Sequence, residues 1–257
     1  MIIEDISKQK SINGVIHLSE VDEPFEKLYL KLLKRDKRLY SDDEVKLLPY
    51  ASKKNPHKTE WALKTKSFLR FKDYLSKKES TLNILELGCG NGWLTGQLAK
   101  EYNHNYFCID TNLVEVEQAA RIFTKDNIRF FYGDITEASL PTNTFHIVIV
   151  NSTLQYFSDI DTLLKELFTL SKSYGEVHII DTPFYKASEL MQARNKSLKY
   201  FTALGLPDMS KKYHHHTVEE LKYFRHQFLY NPDLLKNRIS NFMYNEISSY
   251  PWILVTR

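Results

Sequence analysis

Cysteine is nearly absent: the 257 residues hold two, Cys89 and Cys108. That excludes a disulfide-stapled scaffold and leads us to expect a reducing compartment, the cytoplasm. Long apolar runs are also lacking. No segment approaches the roughly 20 apolar residues of a membrane span, and the opening MIIEDISKQK turns charged too early for a secretory signal. No charge of one sign dominates, with 35 Lys and Arg against 32 Asp and Glu. A net charge of +3 is too small to argue for a nucleic-acid partner by itself. Repeats and low-complexity tracts are missing too. Glycine is scarce, yet four of the eight glycines fall within residues 83–100, NILELGCGNGWLTGQLAK. Glycine is used where the backbone must turn left-handed or approach a ligand closely.

What is present is a change of pattern along the chain. Residues 1–22 show no clear periodicity. Apolar residues at 25, 28, 29, 32 and 33 then form the stripe of an amphipathic helix, with Lys27, Lys31, Lys34 and Arg35 on its solvated face and a basic run to Arg38. A loop containing Asp42 and Asp43 follows. A second helix begins near Lys58 and turns Trp61, Phe68, Phe71 and Leu75 inward. The polar SKKEST (76–81) reads as a linker. We expect residues 1–81 to be a helical extension or lid, and residues 82–257 to be the main domain.

From residue 82 strands and helices alternate. Strands are expected at 83–87, 105–109, 128–132, 145–150 and 174–181, with helices between them carried by Leu94 and Leu98, by Leu113, Val116, Ala120 and Phe123, and by Ile160, Leu163, Leu164 and Leu167. FHIVIV is apolar almost throughout, as a parallel strand covered on both faces must be. The expectation is an α/β, doubly wound, mostly parallel sheet with helices on both faces. Residues 183–216 read as a long connection without strand character. Thr217 and Glu220 form a capping box that should open a helix turning Leu221, Phe224 and Phe228 inward. NFMYNEISSYPWILVTR reads as two strands joined by a turn at Pro251, for about seven strands in all.

The chemistry lies in LELGCGNG. A dinucleotide fingerprint, G-x-G-x-x-G, would need its third glycine at 93, where this chain has Trp93. Glu86, two places before the first glycine, would repel a phosphate and attract a cation. The loop therefore suits a nucleoside ligand with a positive end and no phosphate, as in S-adenosylmethionine. Asp110 ends the next strand, 22 residues after Gly88, where a carboxylate can accept from both ribose hydroxyls. Asp134 ends the third strand on the same sheet edge, placed to accept from an adenine amino group. Without Glu86 and these two acids in register, the loop would read as a structural strand–helix turn.

These residues resemble the class I S-adenosylmethionine-dependent methyltransferases. The likeness runs over residues 82–257: ILELGCGNGWL is similar to the family's first motif, LPTNTFHIVIVNSTLQYF to its fourth-strand region, GEVHIIDTPFY to its fifth strand and YHHHTVEELKYF to the segment before the last helix. His146 stands where the family often has aspartate. The resemblance implies a seven-stranded sheet in the order 3-2-1-4-5-7-6, the seventh strand antiparallel. It also implies S-adenosylmethionine bound by Glu86, Gly88, Cys89, Gly90, Asn91, Gly92, Trp93, Asp110, Thr111, Asn112, Asp134, Ile135 and Asn151.

Methyl transfer from a sulfonium is an in-line displacement, and positioning supplies much of its rate. A base is needed only where the acceptor must lose a proton early. His57, Tyr156, His214 and His216 are the candidates; for each histidine, packing or surface duty is the plainer role. The run His214–His216 cannot converge on one metal ion, so no metal is expected and a solvated or substrate-facing loop is the reading. Trp61 reads as core. The acceptor is expected to be a small molecule, roofed by the insertion at 183–216. A nucleic-acid methyltransferase is the alternative, weakened because NSTLQYF lacks the proline-rich motif that holds a flipped base. A non-catalytic S-adenosylmethionine-binding protein is another, and a nicotinamide-dependent reductase is disfavoured by Trp93 and Glu86.

Overall fold

The computed structural model describes residues 10–235, 237 and 250–257. Its elements, in chain order, are β1 (Ser11–Ile12), β2 (Val15–His17), α1 (Glu23–Arg35), α2 (Asp42–Leu47), α3 (Lys58–Leu75), β3 (Asn83–Leu87), α4 (Trp93–Glu101), β4 (Asn105–Asp110), α5 (Leu113–Ile122) and β5 (Ile128–Tyr132). They continue as β6 (Phe145–Asn151), α6 (Ile160–Leu170), β7 (Ser171–Ile180), α7 (Leu190–Ala203), β8 (Arg225–Tyr230) and β9 (Trp252–Thr256).

The strands form one sheet in the order β1-β2-β5-β4-β3-β6-β7-β9-β8. It has nine strands, not the expected seven, so the order across the whole sheet differs from 3-2-1-4-5-7-6. The difference arises at the N-terminus, where β1 and β2 form a hairpin whose second strand pairs parallel with β5. Residues 11–17 are too short to show a period of their own. Pairing with an edge strand supplies the backbone partners they need. β9 is antiparallel to both of its neighbours.

Alternation along the strands sends successive side chains to opposite faces. Ile84, Tyr106 and Ile147 pack with Phe68 and Phe71 of α3, Leu94 and Leu98 of α4 and Val116 of α5. Their neighbours Leu85, Phe107 and Val148 pack with Leu163, Leu164 and Leu167 of α6. The sheet is thus covered on both sides. Among the described residues no helix is long and apolar enough to cross a membrane.

Three local expectations are corrected. Asp42–Leu47, expected as a loop, is a helix closed by a Ser41–Glu44 capping box; six residues are too few for periodicity to be read. The Thr217–Glu220 capping box forms, but opens only a 3-10 turn at Val218–Leu221. The chain then extends into β8, which leaves Phe228 on an exposed strand face instead of a buried helix face. Pairing with β9 along Arg225–Tyr230 outweighs the helical spacing of 221, 224 and 228. On the side away from β7, β9 pairs with this upstream segment. The strand expected before Pro251 falls mostly in residues 241–249, outside the described ones.

The segment 183–216 contains α7, and a third, smaller core joins it to α1. Leu32 packs with Phe201, Leu206 and Met209, with Phe25, Leu28 and Tyr29 alongside. The basic side of α1 is only partly solvated. Arg35 Nη1 donates to the carbonyls of Leu204 and Gly205 at 2.7 Å. Beyond the helix, Arg38 pairs with Glu60 at 2.7 Å and with Asp36.

Candidate active site

A cleft of about 640 Å³ opens at the carboxyl edge of the sheet, beneath α1, α3 and the 183–216 segment. Open α/β sheets bind ligands at this edge. Its floor is the turn after β3. Gly88, Gly90 and Gly92 all take left-handed φ, at 70°, 50° and 70°, so the glycine concentration has a geometric cause. At Gly88 a Cβ would lie 2.2 Å from Thr153 Oγ1; the strand–helix turn is pressed against the loop after β6.

The predicted residues largely converge. Glu86, Gly88, Cys89, Gly90, Asn91, Trp93, Asp110, Thr111, Asp134, Ile135, Asn151 and Tyr156 line the cleft. Gly92 lies just behind, where it caps α4. Asn112 serves as the N-cap of α5, accepting from Glu115 N, while its buried Nδ2 has no hydrogen-bond partner. His57 is not brought in. It precedes α3 with Nε2 2.6 Å from the Asp36 carbonyl. His214 and His216 line a second cavity instead. Of the solvated and substrate-facing alternatives, the solvated one is corrected there: His215 and His216 are buried, 8% and 2% exposed. His146, at the start of β6, accepts from the Asn83 N–H at 2.9 Å.

The carboxyls define the electrostatics. Asp110 Oδ2 accepts from Gly90 N at 2.7 Å and its Oδ1 from Asn112 N at 2.8 Å, so one side chain clamps both turns. Glu86 Oε2 accepts from Thr95 Oγ1 at 2.6 Å. Burial pushes Glu86 up to about 7, against the lowering hydrogen bonds from Thr95. Glu115, from α5, is pushed up to about 8 by burial and by Asp110. Asp110 is also raised by burial, although backbone N–H groups offset part of it. Asp134 Oδ1 accepts from Thr136 N and Oγ1 at 2.9 and 2.8 Å, and Ser19 from the N-terminal segment donates to the Asp134 carbonyl and accepts from its N–H.

Sequence reasoning missed Glu115, Lys64 and the aromatic wall. Glu115 carries no motif; only its position one turn into α5, facing Gly90, brings it to the site. Lys64 Nζ donates to Ser152 Oγ at 2.6 Å. Around Tyr156 stand Phe25, Tyr29 and Tyr213, with ring centroids 5.8, 5.4 and 5.9 Å away. Trp61 is core as expected, donating to Tyr40 Oη at 2.9 Å and packed edge-on to Trp93, although it also reaches the cleft.

These carboxyls imply a pH dependence of stability. Glu86 and Glu115 keep their protons when folded, up to about 7 and about 8, whereas the unfolded chain releases them near 4.5. Across that window the folded state binds more protons, so their contribution makes unfolding free energy fall as pH rises. Glu115→Gln should therefore raise stability at about pH 8 by on the order of 2 kcal/mol, and change little near pH 4. Urea unfolding at both pH values checks this; an equal change at both would refute the assignment.

Residues 84–175 match the family model described as "Methyltransferase domain". The malonyl-[acyl-carrier protein] O-methyltransferase of Priestia megaterium is 33% identical over 95 residues, 37% of this chain and 34% of that protein. The protein of the same description from Calditerrivibrio nitroreducens is 28% identical over 150 residues, 56% of this chain and 57% of the other. The matched parts therefore span about a third to somewhat over half of those relatives. Among solved structures, phosphoethanolamine N-methyltransferase 2 of Haemonchus contortus in complex with S-adenosyl-L-methionine superposes with a TM-score of 0.52 at 14% identity, covering 86% of this chain and 57% of that one. This is a likeness of fold.

Proposed function

We propose, from the premise that this chain belongs to the class I S-adenosylmethionine-dependent methyltransferases, that it methylates a small-molecule acceptor with S-adenosylmethionine as donor. The observation that carries the reading is the convergence of Glu86, Asp110 and Glu115 on one glycine-built turn. Three carboxyls held in a cleft with raised pKa values call for a ligand with positive charge. The residues present fit this donor. The left-handed glycines leave backbone free beside Glu115. Glu86 and Glu115 would face the cationic end, Asp110 the ribose, and Asp134 and Ile135 the base. When bound, the donor supplies an electrophilic methyl group on a good leaving group.

The chain's own contribution is placement and exclusion of water. Asn151 and Ser152 end the central strand β6 at the mouth of the glycine turn, and Lys64 fixes Ser152 from above. Tyr156 is pushed up to about 12 by burial, so near neutral pH its hydroxyl remains protonated and orients a partner by hydrogen bonding. Among the described residues no histidine lines the cleft. From the extension expected as a lid, α1 covers the cleft, and 183–216 roofs it. The two buried, unpaired cysteines suit a reducing cytoplasm.

The test is calorimetric titration of ligand-free protein with S-adenosylmethionine, S-adenosylhomocysteine and NADH. Micromolar affinity for the first two and none for NADH is expected. Failure of both adenosyl compounds to bind would end the enzymatic reading.

A further inference from the structure

Beneath α7 lies a second cavity of about 410 Å³ that shares Ser158 and Tyr213 with the cleft. Arg194 and Asn195 of α7 and His214–His216 contribute to its lining. The segment that builds it is locally basic: residues 183–216 hold six Lys and Arg against two acids, in a chain whose net charge is only +3. Arg194 has no ion-pair partner among the described residues. Burial and the nearby positive charges, Arg194 foremost for His215, hold His214 and His215 below the ordinary imidazole value. The single acid in the lining, Glu220, is already engaged, by His216 Nδ1 at 3.0 Å and Thr217 N at 2.7 Å.

The decisive atom is His216 Nε2. It is buried and has no hydrogen-bond partner, and leaving a buried polar atom unmatched is costly. A metal does not answer it, since no three His, Cys, Asp or Glu among the described residues are arranged to hold one. An oxyanion answers both this atom and the unpaired guanidinium, and a phosphate answers Nε2 in either protonation state. A monohydrogen phosphate can donate its P–OH to a bare Nε2, and a protonated Nε2–H can donate to a phosphate oxygen. An ionised carboxylate can only accept.

We propose that this cavity is a phosphate subsite, in which Arg194 and His216 hold a phosphate monoester group of the methyl acceptor. The rest of the acceptor passes Ser158 and Tyr213 into the cleft. The assignment of the phosphate to the acceptor rests on the methyl-transfer reading above; the anion site itself rests on the cavity alone.

The experiment is calorimetric titration of the full chain and its Arg194→Gln variant with inorganic phosphate, hexyl phosphate and S-adenosylhomocysteine. Arg194 is exposed, so the variant should fold as the parent does. Saturable binding of both phosphates is expected, hexyl phosphate about tenfold tighter through its apolar arm. The variant should bind both about tenfold or more weakly, with S-adenosylhomocysteine affinity unchanged. Equal affinity for the two phosphates would mean a free-anion site and overturn the acceptor assignment. No saturable binding, or binding indifferent to Arg194→Gln, would overturn the subsite. Should S-adenosylhomocysteine bind and the phosphates not, the subsite alone fails. Should the phosphates bind and S-adenosylhomocysteine not, the methyl-transfer reading fails and takes the acceptor assignment with it.

Discussion

Asp110→Ala should weaken S-adenosylmethionine binding by about a hundredfold or more. The Asp110 carboxylate acts twice. It accepts the backbone N–H groups of Gly90 and Asn112 at 2.7 and 2.8 Å, holding the glycine turn and the start of α5 in one arrangement, and in the proposed reading it also accepts from the ribose hydroxyls of the donor. A hydrogen bond to a charged group contributes about 1.5–3 kcal/mol, and each 1.4 kcal/mol is about tenfold in affinity. Loss of the ligand contact together with loosening of the turn therefore amounts to about two orders of magnitude. Asp110→Asn should recover only part. The amide keeps one accepting oxygen, but its NH₂ meets either Gly90 N–H or Asn112 N–H donor to donor. Calorimetry with S-adenosylmethionine decides it, and an alanine variant within about threefold of the parent would remove Asp110 from the site.

The second large effect is on stability. Gly88→Ala should lower the unfolding free energy by about 3–4 kcal/mol. Two separable costs add. A left-handed φ of 70° costs an alanine about 1–2 kcal/mol. Its Cβ would also sit 2.2 Å from Thr153 Oγ1 and 2.3 Å from Cγ2, an overpacking cost of about 1–3 kcal/mol. Thr153 cannot simply rotate away without loss, because its hydroxyl lies 3.2 Å from the Gly88 carbonyl and 3.0 Å from that of Asn151. A double variant separates the two costs. Thr153→Ala in the Gly88→Ala background should restore about half of the loss, since it relieves the clash but not the backbone strain. Urea unfolding of the four proteins measures the coupling. Strict additivity would show that the close packing of the two loops is not the source of the cost.

Both effects concern residues that could be picked out in the sequence, and the reason is local. A carboxylate at a strand tip and a glycine at a strand–helix turn are set by neighbours a few positions away. The same holds for strands β3 to β7 and the helices α3 to α6, whose periods of two and of three to four are written in the order of apolar residues. The capping box at Thr217 and Glu220 also forms as read, because it involves only four consecutive residues.

Tertiary structure decided the rest, wherever a residue's state depends on partners far along the chain. The hairpin at 11–17 exists because β5 offers an edge, and β8 is a strand because β9 lies beside it. Glu115 became a site residue by facing Asp110 and Gly90 across the α5 turn. Burial accounts for its raised pKa, and burial is a property of the packed molecule that no local window contains. His216 shows the same division. Its identity and its neighbours in the HHH run are plain in the sequence, but its unpartnered Nε2 and the cavity around it appear only once α7 has closed over the segment.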